Sequence, residues 1–246
     1  SVGLSRDAAA LPALLRAVVT DTPAVRRQAA TALERIGQPE AVPALLKAAQ
    51  DPADRFVEHA VIHALIGLGQ PAPLVTALQS ASSAERRAAL IALDQMPGAD
   101  PSTRPHLQPD HVRPFLTSKD DALWRAGIWA ASHHPGWSDL IVTGVRARLD
   151  APGLSEADAA ILRDVMLSVC RDDEVQKLVA ADASGIRAAL ASDVIQACPV
   201  ARVPVVWVDA LRRQMASADA PVRSRAIRLV AARRIEALAG DLARIR

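Results

Sequence analysis

Apolar residues along this chain recur with the spacing of one face of a helix. Val25, Ala29, Ala32, Leu33 and Ile36 lie at i, i+4, i+7, i+8 and i+11. The same face returns in three later segments: Val57, Val61, Ala64, Leu65 and Leu68; Ala89, Ala92, Leu93 and Met96; Val222, Ala226, Leu229 and Val230. The first of these begins 32 residues after Val25, and in the second Glu85 occupies the leading apolar position. A fixed period of this kind predicts a helical repeat.

The segments between these helices also repeat. The first two helices are followed by Gly37-Gln38-Pro39 and Gly69-Gln70-Pro71. Glycine suits a left-handed helix end, and proline suits the first turn of the next helix. The repeating unit is therefore a helical hairpin of about 30 residues.

Extended along the whole chain, this pattern predicts an all-α superhelix, a HEAT-like repeat solenoid of about seven hairpins in a single domain over residues 1–246. The first helices are predicted at 8–19, 39–49, 71–79, 109–117, 137–149, 173–181 and 203–216; their partners are predicted at 22–36, 54–68, 83–96, 121–134, 155–170, 185–197 and 220–234. A loop insertion is expected at about 97–109, and an incomplete last repeat at 236–246.

Composition favours closely packed helices. Half of the residues are apolar, aromatics make up only 2%, and tyrosine is absent. Cys170 and Cys198 match neither a disulfide framework nor a zinc motif, which favours buried thiols. No apolar run is long enough to span a bilayer, and the start at Ser1 suggests a processed protein or a segment of a longer one.

Each second helix tends to begin with a polar cap followed by arginine, as in Asp21 to Arg26, Ser83 to Arg86 and Asp219 to Arg223. With the length of the unit, this resembles the HEAT-like repeat family, which includes phycobilisome-lyase-type proteins. The resemblance covers most of the chain. It implies a helical solenoid that binds other molecules as a scaffold.

A narrower resemblance rests on Asp54 to Leu65, Arg87 to Met96 and Trp124 to Trp137. These segments are similar to the HEAT-like middle region of large planctomycete proteins that resemble membrane-bound dehydrogenases and carry a haem-binding cytochrome domain. This chain has no Cys-x-x-Cys-His motif. The resemblance therefore implies a periplasmic or exported location, with the redox chemistry outside these residues; without it, the chain would be cytoplasmic.

Two histidines lie one helical turn apart at His59 and His63, with Glu58 beside them. Both imidazoles could face one metal ion, but zinc needs at least a third ligand and the order differs from that of zinc proteases. Hydrogen bonds from Glu58 and His59 across neighbouring helices are the favoured interpretation, so no metal and no cofactor are expected.

Four arginines, Arg26, Arg86, Arg125 and Arg223, each follow the first apolar position of a second helix. Stacked repeats would align them as a ladder. Pairing with aspartates of neighbouring repeats is the favoured interpretation, and an anion-binding groove is the alternative. The aspartates are Asp21, Asp51, Asp120 and Asp219.

Charge and aromatic residues are unevenly placed. The net charge is only +2, yet ten arginines against four carboxylates follow residue 200. The overall charge and the lack of interleaved aromatics argue against dedicated nucleic-acid binding. Trp124 is expected in the core, and Trp137 is expected to be exposed.

The sequence thus predicts a non-catalytic scaffold or protein-interaction module. The expected partner is another protein or neighbouring domains of the same polypeptide. A HEAT-like DNA glycosylase or other nucleic-acid-binding solenoid is the alternative, and a phycobilin-lyase-like or chaperone role is a third. The candidate interaction surface comprises Glu58, His59, Arg86, Arg125, Trp129, His133, His134, Trp137, Arg223 and Arg228.

Overall fold

The computed structural model describes residues 8–97, 106–134, 136–181 and 185–244, and within these ranges the regular structure is helical. Fifteen α-helices follow one another: α1 Leu11–Thr20, α2 Pro23–Ile36, α3 Val42–Gln50, α4 Arg55–Leu68, α5 Pro71–Ala77, α6 Ser83–Gln95, α7 Pro109–Leu116, α8 Asp121–Ser132, α9 Ser138–Leu149, α10 Glu156–Ser168, α11 Asp173–Ala181, α12 Gly185–Ala197, α13 Val205–Met215, α14 Ala220–Ala232 and α15 Ala239–Ala243. The all-α, HEAT-like repeat fold is confirmed.

The helices agree with the predicted hairpins to within three residues at each end. Gly37 and Gly69 end α2 and α4 with φ of 77° and 64°, the left-handed conformation expected of them. Most of the predicted insertion at 97–109 and the last two residues of the predicted final repeat lie outside the described residues. That residues 1–246 form one domain stays a prediction.

Two compact units divide the chain, Ser1–His134 and Pro135–Arg246. In the first unit, α1 and α3 pack side by side, and a second layer is formed by α2, α4, α6 and α8, each against the next. In the second unit, α9, α11 and α13 form one layer and α10, α12 and α14 the other. Each hairpin therefore covers its apolar face with its neighbours in the unit.

Small residues allow close packing between helices. Ala30, Ala64, Ala88 and Ala89 are fully buried in the second layer of the first unit. A Cβ added at Gly127 of α8 would lie 2.7 Å from the Cβ of Phe115 in α7, so this hairpin depends on glycine there. Trp124 is fully buried, as predicted.

Cys170 and Cys198 are buried as predicted, but the prediction that they are thiols is wrong, because they form a disulfide across 28 residues. Cys170 follows α10 and Cys198 follows α12, and these two helices pack against each other. The separation is one repeat length, so the repeat itself brings the two cysteines to equivalent ends of neighbouring helices. Spacing rules for small disulfide frameworks do not detect such a pair.

Replacing both cysteines by alanine is expected to lower the free energy of unfolding of the second unit by about 3–4 kcal/mol, because the disulfide closes a loop of 28 residues. Urea titration followed by circular dichroism measures the change. The double variant should be insensitive to reductant, whereas the parent should lose stability. Alkylation of two thiols without prior reduction would contradict the disulfide.

Candidate binding face on the second helices of the first unit

The second helices of the first unit share a register that their N-caps define. Thr22, Asp54, Ser82 and Asp120 are the N-cap residues of α2, α4, α6 and α8. Equal steps from these caps mark equivalent positions in the four helices. The fourth residue after each cap is Arg26, Glu58, Arg86 and Trp124, and the fifth is Arg27, His59, Arg87 and Arg125.

The predicted arginine ladder is therefore wrong at Arg125. The apolar pattern matched Trp124 with Val25, whereas the N-caps match Leu123 with Val25. Both Leu123 and Trp124 are buried, so the apolar pattern alone cannot fix the register. Arg125 instead lies in one row with Arg27, His59 and Arg87.

Arg26 is a structural residue whose partners are main-chain carbonyls. Its guanidinium is buried, and Nε donates to the carbonyl of Val18 at 2.9 Å. Nη2 donates to the carbonyls of Ala48 and Asp51 at 3.1 and 2.6 Å. One cation thus satisfies carbonyl groups at the C-termini of α1 and α3, where the helix dipoles favour positive charge. The predicted pairing with aspartate carboxylates is wrong for Arg26.

Arg86 is the member that lies beside a predicted aspartate. Burial alone would raise the pKa of Asp120, but hydrogen bonds from Leu123 N, the Ser83 hydroxyl and Ala122 N, with the positive charge of Arg86, hold that pKa below its usual value. The guanidinium of Arg86 also lies 5.2 Å from the centroid of the Phe115 ring. Arg86 and Asp120 therefore connect the third and fourth hairpins.

In the second unit, arginines bind the carbonyls that end neighbouring helices. Arg187 donates to Leu149 O at the end of α9, and Arg233 donates to the carbonyls of Ile195 and Cys198 at the end of α12. Arg223 donates to Ser217 O at 2.6 Å, rather than to the carboxylate of Asp219, which caps α14. Arg223 and Arg233 of the basic C-terminal segment therefore stabilise the fold. Arg228 is exposed.

A strip of exposed and half-buried side chains crosses the second helices of the first unit, and we call it the binding face. It consists of the row of side chains five residues after each N-cap, together with two exposed aromatic side chains, Phe56 on one side of that row and Trp129 on the other. Its residues are Arg27, Phe56, His59, Arg87, Arg125 and Trp129. Phe56 is two residues and Trp129 nine residues after its N-cap, so all six share one side of the helices.

Phe56 is 53% exposed and lies between two cations. The guanidinium carbon of Arg55 is 4.8 Å from the ring centroid, and that of Arg27, on the neighbouring helix, is 5.7 Å away. The Nε of Arg27 is buried without a hydrogen-bond partner in the described residues. These two contacts restrict the ring, although about half of the side chain stays exposed.

Trp129 is 39% exposed and is held by a buried carboxylate through a histidine. The Trp129 and His133 rings meet edge to face at 4.2 Å. The Nδ1 of His133 lies 2.7 Å from Asp94 Oδ2, and the Nε2 of His134 lies 2.9 Å from Asp94 Oδ1. The Asp94 side chain is fully buried. The sequence pattern predicts both histidines at this site but not Asp94, because Asp94 lies about 40 residues earlier in the chain.

Of the predicted histidine pair His59 and His63, only His63 makes a hydrogen bond to a neighbouring helix. His63 Nδ1 lies 2.9 Å from Glu34 Oε2, whereas His59 is exposed, so the predicted cross-helix bond belongs to His63 rather than His59. Glu58 behaves as predicted and pairs with Arg87 on the next helix. Within the described ranges, no group of three or more His, Cys, Asp or Glu residues is arranged to hold a metal ion.

Trp137 is not the exposed tryptophan that the sequence suggested. It is half-buried at the N-cap of α9, because the chain turns at Gly136, where φ is 90°, and enters the helix at once. Trp129 is the exposed one. Trp137 belongs to the second unit and is not counted in the binding face.

Comparison with known families places the fold. A model of the family described as HEAT repeats matches residues 1–66, which include α1 to α3 and most of α4. The fold of the described residues is a HEAT-like repeat fold. A search of curated proteins finds no match. HEAT-like repeats act mainly as scaffolds and interaction surfaces. None of the described helices is long and apolar enough to cross a membrane.

Replacing Arg26 by methionine is expected to lower the free energy of unfolding by about 2–3 kcal/mol, because buried carbonyl groups lose their donor. Replacing the exposed Arg125 by methionine is the matched control, with a change within about 0.5 kcal/mol. Urea denaturation measures both. Equal effects of the two substitutions would contradict the capping role of Arg26.

Proposed function

We propose that this HEAT-like repeat protein is a protein-interaction module and that the binding face of its first unit is the docking surface. The observation that carries the proposal is the pair of exposed aromatic side chains held in place on one repeat layer. Exposed aromatics with restricted conformations lose little entropy on binding and often dominate the affinity of protein interfaces.

Neither aromatic side chain is required by the repeat. The position of Phe56 is occupied by Ala24, Ala84 and Ala122 in the other three second helices of the first unit. An alanine there is compatible with the fold, and more than half of the Phe56 side chain is exposed. Packing therefore offers little reason for phenylalanine at this site, which supports a role in binding.

Trp129 has its own support network. Asp94 accepts from His133, whose ring contacts Trp129, and Gln95 Nε2 also donates to Asp94 Oδ2 at 2.7 Å. A fully buried carboxylate is costly unless it is paired. The buried carboxylate of Asp94 fixes His133, which contacts Trp129, and this supports the view that the orientation of Trp129 matters for binding.

A second proposal concerns the larger protein and its location. The Cys170–Cys198 disulfide supports an oxidising compartment, since such bonds are rare in reducing cytosol. This favours the exported location that the planctomycete resemblance implies. A role beside a dehydrogenase or cytochrome domain stays a prediction.

Replacing Phe56 or Trp129 by alanine is expected to weaken partner binding by tenfold or more each, with little change in stability. The probe is a random 12-residue peptide library displayed on phage and selected on the parent protein. Selected peptides are then measured against each variant by fluorescence anisotropy. Loss of binding in both variants supports the binding face.

Val205 offers a matched control, because it is 75% exposed but lies in the second unit. Val205→Ala should leave the affinities unchanged. Failure to enrich any peptide, or equal affinity of the parent and both aromatic variants, would overturn the proposal.

A further inference from the structure

We infer that the binding face recognises an acidic peptide segment in polyproline II conformation, with carboxylates that recur every third residue. This inference rests on the proposed function and names its ligand. The features that carry it are the chemistry of the row five residues after each N-cap and the spacing of the helices that present it.

The row carries a basic or imidazole group on every helix. Arg27 stands on α2, His59 on α4, Arg87 on α6 and Arg125 on α8. The Arg87 guanidinium is already paired with Glu58. Arg125, which is exposed, and Arg27, which is half-buried, have no ion-pair partner among the described residues. The two ends of the row are therefore the positions with unused capacity for an anion.

The repeat sets the distance between successive members. Packed helices lie about 8–10 Å apart, so equivalent side chains on α2, α4, α6 and α8 recur at about that distance. A polyproline II helix advances about 3.1 Å per residue and has three residues per turn. Every third side chain thus lies on the same side, about 9 Å further along, and a peptide crossing the helices would match the row.

The matching distances assign a register to the ligand. Carboxylates at positions i and i+9 would meet Arg27 and Arg125, which are three helix steps apart. Those at i+3 and i+6 would face His59 and the engaged Arg87, and we expect them to contribute less. Phe56 and Trp129, one on each side of the row, would contact apolar or proline residues between the acids.

A nucleic acid fits the row less well. Duplex DNA carries one negative charge per about 1.7 Å of its axis, whereas the row offers one cation per about 9 Å. A row this sparse would leave most phosphates of a bound duplex without a neutralising cation.

The experiment compares two synthetic 12-residue peptides of identical composition, rich in proline and labelled with fluorescein. One carries glutamate at positions 1, 4, 7 and 10, and the other at positions 1, 3, 5 and 7. We expect the first to bind the full chain at least tenfold more tightly, by anisotropy in low salt. Equal affinity would show attraction by charge alone and would overturn the register.

Variants locate the contact on the protein. Arg27→Met and Arg125→Met should each weaken binding of the matched peptide three- to tenfold, while Arg228→Met, an exposed arginine of the second unit, should have no effect. An unchanged affinity in both of the first two variants would overturn the inference.

Two further outcomes separate this inference from the proposed function. If library-selected peptides depend on Phe56 and Trp129 but the spaced acidic peptide does not bind, the interaction module stands and the ligand chemistry is wrong. Tighter, Arg125-dependent binding of a 12-nucleotide single-stranded DNA than of the matched peptide would replace the peptide with nucleic acid as the ligand.

Discussion

Each helical hairpin of this protein has an apolar face that only a neighbouring hairpin can cover. A hairpin of about 30 residues is too small to bury a core alone, so its stability comes from stacking. Alanine is frequent among the buried residues of α2, α6 and α8, and Ala30, Ala64 and Ala88 are fully buried. Small side chains allow neighbouring helices to pack closely, which in turn fixes the spacing of the side chains that they expose.

Stacking also creates polar groups that the next repeat must satisfy. The last carbonyls of every helix lack partners within the helix. Arg26 in the first unit and Arg187 and Arg233 in the second supply long, charged donors to these carbonyls from a neighbouring hairpin. Arginine suits this role because its guanidinium presents several donors and keeps its charge when buried. Counting arginines therefore overestimates the charge available to a partner.

The helices and their order could be predicted from the sequence. Apolar residues that recur every 3.6 positions and the glycine and proline residues between helices are both local signals. Register could not be predicted, since Leu123 and Trp124 are both apolar and only the Asp120 cap decides between them. Nor could the pairs that join distant positions, such as Asp94 with His133 or Cys170 with Cys198. These pairs become visible once equivalent positions of neighbouring repeats are compared, one repeat length apart.

In a repeat protein, the packing of one repeat on the next does not explain the residues that differ from their equivalents in other repeats. Phe56 replaces an alanine, and Trp129 occupies the position of Thr31, His63 and Ile91. Both are large, both are exposed, and both are held by neighbours that restrict their motion. Exposed aromatic surface is unfavourable in water unless something covers it. Because the fold gains little from these two side chains, their exposure supports the proposal that they act in a complex formed at the binding face.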